Sequence, residues 1–287
     1  MNKYIRLSIA ALLLIVTYAC SNNTKSLIQV DEVSPWCILG FDSLDRTPKQ
    51  RIAMLKEMGF TRYGYNRGKG NFEEMKKEFD LAGENNIEIV SVFLWLNADR
   101  DSIGKLSPSN QLLLSNLELV EQKPTIWVSF SNNFFEDLNQ EESIELSIEL
   151  IQFIKLKADK LGCKLALYNH RGWFGNPHNQ VNILDKLGDD SITMVYNFHH
   201  AHEYIDEFPE IAHKIAPHLS FVNLNGVKKE GPEILPIGKG DHEFEMIEHL
   251  NKEGFDGPWG ILGHIKTEDV QEVLIRNIDG LELWNAN

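Results

Sequence analysis

Short apolar runs alternate with helical segments along almost the whole chain. The runs are Trp36–Asp42, Phe60–Asn66, Ile87–Leu96, Thr125–Phe130, Cys163–Tyr168, Ile192–Phe198, Leu219–Leu224 and Trp259–Leu262. They are rich in Val, Ile, Leu and Tyr, which favour strands. Between and after them the pattern predicts helices over Thr47–Met58, Phe72–Asn86, Pro108–Glu121, Glu141–Leu161, Pro177–Leu187, Glu203–Ile215, His242–Glu253 and Thr267–Leu283. The first carries Thr47 as an N-cap and Pro48 in its first turn, and Gly59 stops it. The fourth repeats Ile144, Ile148, Ile151, Ile154 and Leu156 at helical spacing. Eight strand–helix units, with no tandem repeat or Pro/Ser-rich linker among them, predict one α/β domain closed as a (β/α)8 TIM barrel. An open doubly wound sheet is the alternative, but Gly40-Phe41-Asp42 after the first strand is not its glycine-rich phosphate loop.

The N-terminus follows a different pattern. Lys3 and Arg6 precede a nearly unbroken apolar stretch from Leu7 to Tyr18, about a dozen residues and too short for a comfortable bilayer span of roughly 30 Å. It ends in Thr17-Tyr18-Ala19-Cys20, a small residue before a cysteine. Residues 1–19 therefore read as a signal, similar to a bacterial lipoprotein signal whose Cys20 is lipidated, with an ordinary secretory signal as the alternative. Residues 20–30 carry the lipidated cysteine and a polar tether, and residues 31–287 the barrel. No Asp follows Cys20, which points to an outer-membrane lipoprotein facing the periplasm, held to the membrane by its lipid anchor only.

The chain has a formal net charge of −14, and losing Lys3 and Arg6 makes it more acidic. Such a surface repels nucleic acid and anionic lipid. Besides Cys20 there are only Cys37 and Cys163, each in or beside a strand and without metal-type spacing, so both are expected as buried thiols rather than a disulfide.

In an alternating β/α chain, function collects at the carboxyl ends of the strands. Those ends offer Asp42, Tyr65, Arg67, Trp95, Tyr168, Asn169, His170, His199, His202, Asn223, Asn225 and His264. Amides pair with sugar hydroxyls as donor and acceptor at once, and Trp95 and Trp173 suit the apolar face of a sugar ring. Arg67, in Asn66-Arg67-Gly68-Lys69-Gly70, is either an anion clamp or a solvated loop residue. His199 and His202 lie three apart where a strand gives way to a helix, and His170 follows the neighbouring strand. These three imidazoles are candidates to hold one divalent ion, Zn²⁺ or Mn²⁺, or to act as acid and base near neutral pH. His178, His213, His218 and His249 fall on helices or their ends and read as surface residues. Gly238-Lys239-Gly240-Asp241 looks like a phosphate cradle, but the acids after it favour a helix start capped by Asp241.

Leu167-Tyr168-Asn169-His170, Asn197-Phe198-His199-His200-Ala201-His202, Ile237-Gly238-Lys239-Gly240-Asp241 and Gly254-Phe255-Asp256-Gly257 carry a family likeness. In order and spacing the chain resembles the xylose-isomerase-like TIM barrels, the superfamily of sugar isomerases and epimerases related to endonuclease IV. That resemblance implies a (β/α)8 barrel acting on small carbohydrates. Metal-binding members carry Glu after strand five, Asp with His three residues on after strand six, His in strand seven and Glu after strand eight. Here those places are Tyr168, His199 with His202, Asn223, and Gly263 or His264, so only His202 matches.

The first reading is an exported enzyme that moves a proton next to a carbonyl: a sugar isomerase or epimerase, or a lyase or hydratase on an oxidised sugar. His170 and His199 form its acid–base pair, with His202 assisting. The second is a non-catalytic sugar-binding lipoprotein on a degenerate barrel. A small carbohydrate or oxidised sugar is the expected partner in both, and nucleic acid in neither.

Overall fold

A computed structural model describes residues 28–66 and 72–286. The signal, Cys20 and most of the tether, as well as Arg67, lie outside the described residues. Eight parallel strands form one sheet in the order β1-β8-β7-β6-β5-β4-β3-β2, and β1 also adjoins β2, so the sheet curls into a (β/α)8 barrel. The strands are β1 (Ser34–Trp36), β2 (Arg62–Tyr65), β3 (Glu88–Leu96), β4 (Thr125–Phe130), β5 (Leu165–Tyr168), β6 (Ile192–Asn197), β7 (Leu219–Leu224) and β8 (Trp259–Leu262). The helices are α1 (Pro48–Glu57), α2 (Met75–Glu84), α3 (Pro108–Leu119), α4 (Gln140–Leu161), α5 (Gly172–Gly175), α6 (Pro177–Leu187), α7 (Phe208–Ile215), α8 (Glu243–Lys252) and α9 (Val270–Ala286).

Side chains on a strand alternate between two faces, and the barrel sorts them accordingly. Leu165 and Leu167 on β5, and Val222 and Leu224 on β7, join the large core between sheet and helices. Their neighbours Ala166, Tyr168 and Phe221 join Trp36, Trp127, Val195 and Leu262 in a separate inner cluster. Burial of each large side chain contributes roughly 1.5–3 kcal/mol. The inner cluster admits Trp36 because β2 offers Gly64 there, where a Cβ would lie 2.4 Å from the indole.

Local signals were mostly accurate. Thr47 caps α1 through a capping box with Gln50. Asn139 does the same for α4 with Glu142, and Gly162 ends that helix in a left-handed turn. Three expectations need correction. The first strand lies earlier than expected, at Ser34–Trp36, because Cys37 adopts φ +56 and turns the chain out of the sheet. The helix expected from Glu203 begins only at Phe208. Two 3-10 turns, Phe198–His200 and His202–Tyr204, take its place. Asp241 does not cap α8. Glu243, 1 % exposed, instead turns its carboxylate back to accept from the amides of Gly238 (2.9 Å), Gly240 (3.0 Å) and Val227 (3.0 Å). The loop that resembles a phosphate cradle is therefore filled by the chain's own anion.

Cys37 and Cys163 are free thiols. His178, His213, His218 and His249 pair with the carboxylates of Glu207, Glu253, Asp185 and Glu245 on the outside of the barrel. No helix among the described residues is long and apolar enough to cross a membrane.

Candidate functional site

At the carboxyl ends of the strands lies a cavity of about 310 Å³. Six aromatic side chains wall it: Trp36, Phe41, Phe72, Phe93, Trp95 and Tyr168. Its polar side is a bank of imidazoles, His170, His200 and His264, with the amides of Asn66 and Asn110 beside them.

Local chain geometry places each imidazole. After β5 the chain turns sharply, with Arg171 at φ +46 and Gly172 at φ +65, and His170 immediately precedes that turn. After β6, Asn197 accepts from the amide of His199 (3.0 Å) and starts the first 3-10 turn. Buried Phe198 anchors this turn against Phe208 at a ring separation of 5.9 Å. His199 and His200 then diverge. His200 meets His170 at 4.5 Å between ring centres, whereas His199 meets His264 at 5.1 Å. His199 and His200 touch each other at 4.4 Å, so the four rings form a chain. Trp95 lies edge-on to His170 at 4.7 Å and Phe41 edge-on to His264 at 3.8 Å.

These histidines are neutral at neutral pH. Desolvation, with His199 and Arg171 adding to it, lowers His170 to about 4. Desolvation, then His199 and Lys266, lowers His264 to about 3. His200 is pushed well below its ordinary value by burial and by His170 and His199. Burial lowers His199 and His202 too. A neutral imidazole keeps one N–H and one lone pair. The Nδ1 atoms of His170 and His200 are buried and have no hydrogen-bond partner. Polar atoms buried this way are uncommon and ask for a ligand.

A second cavity, of about 250 Å³, lies on the other side of His200. His199, His202, Arg171, Glu233, Tyr204 and Asn132 line it. Arg171 is ion-paired with Glu233. His199 Nδ1 is 3.3 Å from the carbonyl of Glu233, and His202 Nδ1 is 3.2 Å from that of His199.

Of the residues predicted for the site, Trp95, Tyr168 and His170 line the first cavity, and His199 and His202 the second. His264 also lines the first cavity, and the remaining described candidates lie off both cavities. Asp42 accepts from Arg46 (2.9 Å) and from the amides of Leu44 and Arg46. Tyr65 packs behind the mouth on Phe72 and Phe79. Asn169 exchanges hydrogen bonds with the backbone of Asn197. Trp173 lies on Phe135 and donates to Gln140 (2.7 Å). Asn225 donates to the carbonyls of Gly226 and Glu233. Asn223 is fully buried with both amide atoms unpartnered, beside Gly260. Sequence reasoning missed the aromatic wall and gave His200 no role of its own. The break at fully buried Ala201, which separates the two turns, left no signal in composition.

The residues present do not fit the carboxylate-rich divalent-metal site that the family resemblance implies. His170 and His202 face different cavities, and the imidazoles lean ring on ring. The Tyr168 hydroxyl accepts from Trp36 Nε1 (3.1 Å) and from Asn197 Nδ2. Among the described residues no group of three or more His, Cys, Asp or Glu side chains is placed to hold an ion.

Comparison with known proteins agrees with this architecture. The xylose isomerase-like TIM barrel family model matches residues 66–277. The chain belongs to that family. No curated protein sequence matches it. Solved structures share the fold at low identity. The IolI protein with a bound zinc atom is 12% identical, with a TM-score of 0.68 over 88% of this chain and 98% of that one. The probable 3-DHS dehydratase AsbF of Bacillus anthracis is 12% identical, with a TM-score of 0.66 over 87% and 98%. D-psicose 3-epimerase of Clostridium cellulolyticum H10, solved with D-tagatose, is 13% identical, with a TM-score of 0.60 over 87% and 96%.

Proposed function

We propose that this barrel is a carbohydrate-active enzyme that moves a proton at the carbon next to a carbonyl. The observation that carries this reading is the pair His170 and His200. They are neutral, 4.5 Å apart, each has an unpartnered Nδ1, and both line the aromatic-walled cavity. In such a pair one imidazole presents a lone pair to take the proton. The other presents an N–H that polarises the carbonyl oxygen and holds the charge that develops there. Their low basicity keeps both neutral, and a neutral donor N–H suits a carbonyl oxygen. Trp36, Trp95 and Phe93 offer flat apolar surface to a sugar ring and exclude water from the reacting atoms. His199 replaces neither partner: it supports His200 from behind and links it to His264. The epimerase and dehydratase folds named above support proton-transfer chemistry on a carbohydrate or an oxidised relative. The same reading covers isomerisation, epimerisation, and lyase or hydratase reactions, and no step passes through a metal.

The decisive experiment is solvent exchange. The purified chain is incubated in D2O with a panel of ketoses, aldoses and oxidised sugars, with and without chelator, and followed by NMR. Deuterium entering the carbon next to a carbonyl, and persisting in chelator, is the expected result. Carbohydrate binding without exchange or turnover would instead support the sugar-binding reading, which the missing carboxylates favour.

We further propose that the enzyme acts outside the cytoplasm as a lipoprotein of the outer membrane, held there through Cys20. The charged start and the apolar run ending at Ala19-Cys20 support this. Cys20→Ser is expected to move the protein from the membrane fraction to the soluble fraction of its native host, and retention in the membrane would refute the anchor.

A further inference from the structure

We propose that the polar cavity behind His200 is a second sugar subsite, and that the substrate is a glycoside of two sugar-sized parts rather than a free monosaccharide. This rests on the carbohydrate reading above. His200 lines both cavities, and the consecutive residues His170 and Arg171 face one each. His200 is the wall the two cavities share, so a ligand that reaches the unpartnered Nδ1 atoms of His170 and His200 from the aromatic side would place its second part in the cavity beyond that residue.

The two compartments differ in chemistry. The first is mostly aromatic and holds the nitrogens suited to proton transfer, so it takes the reacting ring. The second offers carboxylates at Glu203 and Glu233, the Arg171 guanidinium, the Asn132 amide and the Tyr204 phenol. His202 adds a buried Nε2 without a partner, while its other nitrogen is held by the carbonyl of His199. Donors and acceptors so mixed suit hydroxyl groups. An anionic group is disfavoured, because Arg171 is already paired with Glu233 and Glu203 adds a further negative charge.

The backbone keeps this compartment open. Gly172, at φ +65, and Gly175 both line it. A Cβ at Gly175 would lie 2.8 Å from the backbone carbonyl carbon of His170, and one at Gly172 would lie 3.1 Å from Asn132 Oδ1. Glycine at both places lets the turn after β5 close tightly and leaves the space beside it free of side chains.

The test is titration calorimetry on the chain with cellobiose, maltose, lactose and trehalose, each set against glucose and galactose. At least one disaccharide is expected to bind ten-fold or more tightly than either of its component sugars. Asn132→Trp, at an exposed position, fills the second cavity, and Glu203→Ala removes one of its acceptors. Each is expected to shrink that preference at least three-fold, with folding checked by circular dichroism. Equal affinity for one and two rings, or a preference that survives both substitutions, overturns the second subsite and leaves the carbohydrate reading standing. No binding of either size of sugar, with the titration repeated on their oxidised forms, overturns both.

Discussion

The two sides of the barrel mouth treat polar groups in opposite ways. On the β1–β2 side the charged groups Asp42, Arg46, Arg51 and Glu78, among the described residues, are paired. Arg46 lies between Asp42 (2.9 Å) and Asp269 (2.7 Å), and Arg51 holds Glu78 through two nitrogens at 2.7 and 3.1 Å. Tyr63 donates a further bond to Glu78 (2.9 Å), and the other Arg51 nitrogen donates to the carbonyl of Arg46 (3.0 Å). On the β5–β8 side the half-buried imidazoles of His170 and His200 each keep a buried Nδ1 without a partner. Full charges on one side are spent on holding loops to the barrel, whereas neutral groups on the other are left for a ligand. The comparison shows that a charged residue at a strand end is not by itself a site residue. The unpartnered atom is the better guide, because leaving it buried without water or ligand costs about 1–3 kcal/mol.

The largest expected effect comes from breaking the paired side. Glu78→Ala leaves the Arg51 guanidinium buried without its partner, and such changes cost roughly 3–5 kcal/mol. Denaturant unfolding should show a loss of that size, and Arg51→Met added to it should restore most of the stability. A loss below about 1 kcal/mol would show that water already satisfies Arg51 and that the two sides differ less than the geometry indicates.

Next come the open imidazoles. His170→Asn and His200→Asn are each expected to cut turnover by about 10²-fold or more, the usual worth of a positioned acid or base, which corresponds to roughly 2.7 kcal/mol in the barrier. Unfolding midpoints should move little, since neither ring nitrogen holds a structural hydrogen bond through Nδ1. His202→Asn, which faces the second cavity, should cost less turnover than either. Unfolding losses comparable to that of Glu78→Ala, with turnover intact, would make the imidazoles packing residues.

A smaller effect tests the Glu243 carboxylate inside the Gly238-Lys239-Gly240 loop. Glu243→Ala orphans three backbone amides, which should cost about 1–3 kcal/mol. It also opens a nest of N–H groups of the kind that binds anions. Inorganic phosphate should then raise the melting temperature of the variant and not that of the parent chain. Equal response of the two would mean that the loop rearranges when its carboxylate is lost.

The fold was legible because its signals are local and repeated. Eight apolar runs, the Thr47-Pro48 start of α1 and the Gly59 stop after it each act within a few residues. The site was legible only in part. His170 and Trp95 could be found because strand ends mark the mouth of a barrel. The spacing of His199 and His202 suggested that both face one ligand, and both line the second cavity, but the chain breaks into two 3-10 turns around Ala201 and it is His200 that faces His170. Asn169 and Asp42 looked available because sequence does not show hydrogen-bond partners. Their partners, the Asn197 backbone and Arg46, follow from tertiary geometry and local turn geometry that residue type leaves open.

The smallest effect, nil at neutral pH, concerns acid. In the unfolded chain His170 and His264 take up a proton near their ordinary value of 6.5. In the folded chain burial delays this to about 4 and about 3. Between these values the unfolded state binds more protons, so stability falls as pH is lowered. The contribution is fully present above 6.5 and declines from there through about 4 for His170 and about 3 for His264. His264→Gln removes one such group. Its stability curve should therefore run parallel to that of the parent between pH 7 and 8, offset only by lost packing on Phe41, and fall less steeply between pH 6.5 and 4. Carboxylates contribute acid sensitivity to both proteins and cancel in the difference. Parallel curves throughout would mean that His264 is already hydrated enough to protonate at its ordinary pH. The imidazole wall would then be wetter than the aromatic side chains around it indicate, and a neutral donor facing a carbonyl would lose its main physical support.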